Sequence, residues 1–176
     1  GKCNVLLIGG FTTIPNPKDG LAKAEEVLGY IRKYVGPGTE VYYEDSCPPR
    51  GISEGHTAIW RTVASNISIF GLNEDELQNH IGRKINLLDA NDVIKALQDL
   101  ERLIPCKNYV LHTKYYALAY GENAKRYRDS LVSGIALATT RLVHGDYYGS
   151  NEVKEIMARP ADPNGRQFSE IMDKLD

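Results

Sequence analysis

Four short apolar runs alternate with segments whose apolar residues recur every three or four positions. That alternation limits the chain to one class of fold. The runs are Val5-Leu6-Leu7-Ile8, Val41-Tyr42-Tyr43 within 40–44, Ile67-Ser68-Ile69-Phe70 and Tyr109-Val110-Leu111-His112. A short run that is apolar throughout suits a strand covered on both faces. Between the first two runs, Leu21, Ala24, Leu28, Ile31 and Val35 form one helical stripe, opened by Asn16-Pro17 and closed by Gly36-Pro37-Gly38. Cys47-Pro48-Pro49-Arg50-Gly51 reads as a loop, because paired prolines and Gly break both helix and strand. Ser53 caps a helix reaching about Ala64, and Asp89 caps one carrying Val93, Ile94, Leu97, Leu100 and Leu103, which Pro105 ends. After the fourth run a long helix is expected, with Ala124, Tyr127, Leu131, Ile135, Ala138 and Leu142 on one stripe and Gly145 just past its end. The tail from Ser150 reads as two shorter helices around a loop over 160–165, the second running over 168–175.

Strands separated by helices of this size argue for α/β architecture. The expected fold has three layers, a mostly parallel Rossmann-type sheet with right-handed crossovers and helices on both faces. At 176 residues the chain is expected to form one domain, 1–176. The regions of Gly9, Glu44, Gly71 and His112 then all lie at strand C-terminal ends. Distant in sequence, they converge on the rim where open α/β sheets bind ligands.

The segment Phe70-Gly71-Leu72-Asn73-Glu74-Asp75-Glu76-Leu77 crosses that rim from strand to helix. Asn73 is a good N-cap, and Glu76 falls at the position whose side chain reaches back to the cap's N–H. Carboxylate oxygens here also suit Mg²⁺, a hard ion that keeps several waters and is usually shared with substrate phosphates. The two readings are compatible, since a cap fixes the geometry of the carboxylates around it. Asp45 beside Glu44 reads either as a second carboxylate sharing a metal or as a solvated loop residue.

Composition removes other classes. Hydrophobic residues make up 42% and charged residues 25%, as in ordinary globular proteins, and the formal net charge of −2 gives no electrostatic case for nucleic acid or an anionic membrane. No apolar run approaches bilayer-spanning length, and the first residues lack a secretory signal pattern. Cys3, Cys47 and Cys106 fit neither a zinc site nor a redox pair, and read as reduced, structural thiols of a cytoplasmic protein. Lys107 beside Cys106 suggests a lowered thiol pKa, without a base adjacent in sequence to use it. His56 and His80 sit in polar surroundings and read as solvated, and His144 suits a helix C-terminus. Trp60 reads as core, and the tyrosine pairs at 42-43, 115-116 and 147-148 as packing with polar tips. The chain opens at once on a core strand and stops within an apparent helix, as a piece of a longer protein would.

Several of these segments, in this order, resemble the ADP-dependent glucokinase and phosphofructokinase family of the ribokinase-like superfamily. Leu7-Ile8-Gly9-Gly10-Phe11 is similar to the family's strand and turn before a long helix. Val41-Tyr42-Tyr43-Glu44 resembles its metal-associated His-x-Glu motif, and Gly71-Leu72-Asn73-Glu74-Asp75-Glu76-Leu77 its Asn-x-x-Glu segment. Val110-Leu111-His112-Thr113 is similar to a later strand. Arg128-Asp129-Ser130-Leu131, continuing through Gly134, Ala136, Ala138 and Thr139, resembles the helix after it. The likeness runs from about Val5 to Gly165 and resembles the central part of the family's large domain.

The resemblance implies Mg²⁺-dependent transfer of the β-phosphoryl of ADP to glucose or fructose 6-phosphate. It implies Glu44 and Glu76 at the metal through water, with Asn73 in the same network. It implies Gly9 and Gly10 where backbone approaches the sugar or its phosphate, and His112 with Thr113 near the nucleotide. Three departures stand out. The family's Gly-x-Gly-Asp, which supplies the general base and the anion hole, is absent from this chain, and the Gly-Asp pair of His144-Gly145-Asp146 follows a helix rather than opening one. Tyr42 stands where the family has His, and Thr12 lies near where it often has Gln. The sugar-covering lid is missing, so the expected fold is incomplete relative to the family. A general base and an anion hole each typically matter by about 10² to 10⁴, so the chain alone is expected to be nearly inactive as a kinase. A non-catalytic nucleotide-binding or assembly domain on the same fold is the alternative, and a different enzyme on a doubly wound sheet a third.

Overall fold

Capping residues set where the helices begin. The computed structural model describes residues 3–46, 48 and 51–174. Asn16 opens α1 (Pro17–Tyr34), its side chain accepting from the Lys18 N–H, with Pro17 in the first turn. Ser53 opens α2 (Glu54–Ala64), Asn73 opens α3 (Glu74–Ile81) and Asp89 opens α4 (Ala90–Leu103). All four starts agree with the sequence reading. The proline loop after the second strand lies largely outside the described residues, as does Cys47.

The strands are β1 (Val5–Gly9), β2 (Glu40–Glu44), β3 (Ile69–Asn73), β4 (Asn108–His112) and β5 (Ala117–Gly121), ordered β1-β2-β3-β4-β5 in one sheet. The first four run parallel, and β5 returns antiparallel to β4. The α/β class and mostly parallel sheet are therefore as expected. Two elements differ. Strand β3 lies two residues later than the apolar run suggests, because Gly71 and Leu72 pair with Val110 and Leu111. Strand β5 fills the stretch between β4 and the expected long helix, whose first turn is a 3-10 turn over Ala124–Tyr127 before α5 (Arg128–His144).

Because successive parallel strands add on the same side, α1, α2 and α4 share one face. Leu28, Trp60, Val63, Val93, Leu97 and Leu100 meet Tyr43, Phe70, Leu72, Tyr109 and Leu111 there in the main core. Among the described residues the opposite face is covered over its middle, where Tyr127 and Leu131 pack on Tyr42, Ile69, Val110 and Ala119. Helices thus lie on both faces, but unequally. The predicted stripe of α5 is correspondingly open beyond its first turns: Ile135 is exposed and Leu142 is 86% exposed. Leu7 on β1 is likewise 66% exposed, whereas Leu72 on β3 is fully buried. Replacing Leu7 by Ser is expected to change unfolding stability by no more than about 0.5 kcal/mol, as measured by urea titration. A loss above about 2 kcal/mol would show that Leu7 is covered.

The tail forms α6 (Ser150–Met157) and α7 (Pro163–Met172). Helix α7 begins within the expected 160–165 loop, because Asp162 caps it with Pro163 in the first turn. Its Gly165 lies so close to the Tyr115 carbonyl that a Cβ would overlap it, and Phe168 stacks on Tyr116 at 4.0 Å. Tyr147, expected to pack, is fully exposed. No helix among the described residues is long and apolar enough to cross a membrane.

Candidate active site

Parallel pairing places the ends of the first four strands side by side. Gly9 pairs with Glu44, Glu44 with Gly71, and Asn73 with His112. Side chains alternate along a strand, so Glu44, Gly71, Asn73 and His112 all belong to the face opposite the main core. The rim expected from sequence is formed.

Asn73 performs the capping role in full. Its Oδ1 accepts from the Asp75 and Glu76 N–H groups, both at 2.9 Å, while its own N–H donates to Glu76 Oε2 at 2.8 Å. That reciprocal box holds Glu76 in one orientation at a helix N-terminus. Glu76 is buried, and burial pushes its carboxyl above the usual range. The Asn73 N–H opposes that shift, Asp45 and Glu44 add to it, and His112 counters it. Glu44 pairs with Gly71, two residues before Asn73, and the Asn73 N–H holds Glu76, so both acidic groups stand at the same end of β2 and β3. His112 Nε2 lies 3.6 Å from Glu44 Oε1.

Tyr42 is a further member of this group. Its phenol crosses from β2 over Gly71, where a Cβ would overlap the hydroxyl. Burial first, and then the Glu44 carboxylate beside it, keep that phenol protonated well above its ordinary value. The sequence marks Tyr42 as packing with a polar tip and as a departure from a motif, and it packs against Ile69, Val110 and Tyr127 as the first reading expects. The neighbouring Gly71, which removes the obstacle to the ring, was the available signal.

Other expected residues have local explanations. Gly9 has no room for a Cβ, which would sit 2.8 Å from the Glu44 carbonyl oxygen, and Gly10 has φ 81°. Thr113 closes the β4–β5 hairpin. Its N–H and hydroxyl both donate to the Tyr116 carbonyl, and the hydroxyl accepts from the Tyr115 and Tyr116 N–H groups. Asp146 pairs with Arg141 at 2.6 Å.

Four expectations are corrected. Asp45 is no solvated loop carboxylate: its Oδ1 accepts from Trp60 Nε1 at 2.6 Å, and its Oδ2 meets His80 Nε2 at 2.7 Å. The His80 side chain is accordingly enclosed, packed edge-on against Trp60. His56 is also buried, its Nδ1 accepting from the Ser53 N–H to complete the cap of α2. Burial pushes the Cys106 thiol up, outweighing Lys107 beside it.

Among the described residues, no group of three or more His, Cys, Asp or Glu is placed to hold a metal ion by itself. Two carboxylates completed by water and ligand oxygens is a donor set that suits Mg²⁺ rather than a metal caged by protein.

Solved structures share this fold. The chain is similar to a phosphofructokinase from Pyrococcus horikoshii OT3 solved with AMP (TM-score 0.75, 16% identity), over 98% of this chain and 43% of that one. It is similar to an ADP-dependent kinase in complex with fructose-6-phosphate and ADPβS (TM-score 0.74, 14% identity), over 98% of this chain and 42% of that one. It also resembles phosphofructokinase-2 from Escherichia coli in complex with potassium (TM-score 0.58, 14% identity), over 89% of this chain and 57% of that one. The chain thus spans about two-fifths of the length of the first two. No protein-family model and no curated protein sequence matches it.

Proposed function

We propose that the chain carries the acidic rim of an ADP-dependent sugar kinase, and that 1–176 corresponds to the central part of that enzyme's large domain. The reaction is phosphoryl transfer from ADP to glucose or fructose 6-phosphate in the cytoplasm. The meeting of Glu44 and Glu76, remote in sequence, at adjoining strand ends beside His112 supports this reading most strongly. The fold shared with ADP-dependent phosphofructokinases supports it further.

In this reading Glu44 and Glu76 orient waters around Mg²⁺, and Asn73 fixes Glu76. Bound there, Mg²⁺ neutralises phosphate charge, in chemistry that is mostly positioning and electrostatics. Gly9 and Gly10 leave backbone accessible to the sugar or its phosphate, and His112 with Thr113 borders the nucleotide. The general base lies outside the 176 residues, which hold no Gly-x-Gly-Asp.

A non-catalytic nucleotide-binding domain is the second reading. It is favoured by the completeness of the local roles: Asn73 and Glu76 close a cap, and Thr113 closes a hairpin. Calorimetry with ADP separates a metal-linked site from none. ADP is expected to bind tighter with Mg²⁺ than without it, and amide signals over 71–77 and at Glu44 are expected to shift at millimolar ligand. No heat and no shift at that concentration would overturn the proposed site.

A further inference from the structure

We infer that Asp45 and His80 are positioning residues that hold the two rim carboxylates in register, an inference that rests on the function proposed above. Asp45 directly follows Glu44, and His80 lies one helical turn beyond Glu76, at the (i, i+4) spacing that shares a helix face. The link between them is therefore a bridge between the two elements that carry the acidic groups. Both ends are enclosed: the His80 side chain is 4% exposed and that of Asp45 1%.

The bridge is three-membered and well made. Asp45 accepts from Trp60 Nε1 on α2 at 2.6 Å and meets His80 Nε2 on α3 at 2.7 Å. Its own N–H donates to the Gly71 carbonyl at 2.9 Å, extending the β2–β3 ladder past Glu44. His80 stands edge-on to Trp60 with ring centroids 4.3 Å apart and also faces Phe70. One residue thus ties the end of β2 to α2 and α3 through its carboxylate and to β3 through its N–H.

Stability alone does not account for it. Well-packed apolar residues of similar volume often serve a core as well as a buried polar pair or better. Directional bonds add a fixed geometry. Without the bridge, His80 meets Trp60 and Phe70 through ring contacts alone, which tolerate sliding, and Glu76 moves relative to Glu44. Groups behind the ligands of a cation typically change its affinity by 10–100-fold.

The test measures Mn²⁺ affinity by water-proton relaxation, alongside thermal unfolding, for the unaltered chain and for variants at His80. His80→Phe keeps an aromatic ring against Trp60 and Phe70 but cannot bond Asp45. It is expected to weaken Mn²⁺ binding about tenfold at temperatures where it is folded. His80→Gln, whose amide reaches Asp45, is expected to restore most of the affinity. A folded His80→Phe with unaltered affinity would overturn the inference, as would His80→Gln binding no better than His80→Phe. If His80→Phe fails to fold, His80→Asn, whose amide stops short of Asp45, takes its place with the same expected loss, and unaltered affinity there overturns the inference. Absence of Mn²⁺ binding by the unaltered chain would overturn the proposed function itself, and this inference with it.

Discussion

Replacing Glu76 by Gln is expected to weaken divalent-cation binding by about 10–100-fold while leaving α3 intact. The substitution separates the two roles of this residue. A Gln Oε1 accepts the Asn73 N–H as the carboxylate does, so the capping box survives. The negative charge beside Glu44 does not. Titration calorimetry with Mg²⁺ or Mn²⁺ reads the first effect, and the unfolding midpoint the second. Unchanged cation affinity in the variant would reduce Glu76 to a cap.

The same carboxyl gives a pH dependence whose sign follows from its surroundings. Burial raises its folded pKa above the value of the unfolded chain. The protonated form is therefore favoured in the folded state. The stability this contributes is fully present below the unfolded carboxylate value, and is lost as pH rises through the raised folded one. Glu76→Gln removes that dependence and is expected to be no less stable than the unaltered chain at neutral pH. Cation binding has the opposite trend, strengthening over that window because it requires the ionised carboxylate.

A single methyl group at position 71 is expected to cost about 1–3 kcal/mol, the usual range for overpacking. Gly71 is buried in β3, and a Cβ there would overlap the Tyr42 hydroxyl and ring. Tyr42 cannot retreat cheaply. It packs in the second-face cluster with Ile69, Val110 and Tyr127, and its hydroxyl faces Glu44. Against a typical total stability of 5–15 kcal/mol, Gly71→Ala is a large perturbation, and it also displaces the phenol from the rim. The obstacle is one side chain, so Tyr42→Ala should relieve it. Urea unfolding of the double variant is expected to show coupling of more than about 1 kcal/mol, as for residues in contact. Additive losses would mean that Gly71 is needed for some reason other than Tyr42.

Much of the frame was legible because its causes are local. Asn16, Ser53, Asn73 and Asp89 cap helices through atoms two or three residues away, and a sequence displays that spacing directly. The rim followed from parallel pairing, which needs only the order of strands and helices. Strand β5 was hidden: Ala117-Leu118-Ala119-Tyr120 has weak strand propensity, and hairpin pairing with β4 decides its state. The stripe of α5 lies on a helix as its periodicity implies, but periodicity marks an apolar face without saying what covers it, so its exposure has no sign in the sequence. Solvation is one of the two sequence readings of Asp45 and the reading of His80, because their neighbours in sequence are polar. Their burial depends on Trp60, 15 residues from Asp45 and 20 from His80, arriving from α2. The one local sign was that Glu76, Leu77 and His80 share a helical face.

Paramagnetic broadening by Mn²⁺ tests the shared acidic rim most directly. With substoichiometric Mn²⁺, amide signals of Glu44, Asn73, Glu76 and His112 are expected to fade together, ahead of those of α6 and α7. Fading at Glu44 without Glu76, or diffuse loss across the exposed acidic residues, would contradict a single cation site between β2 and α3.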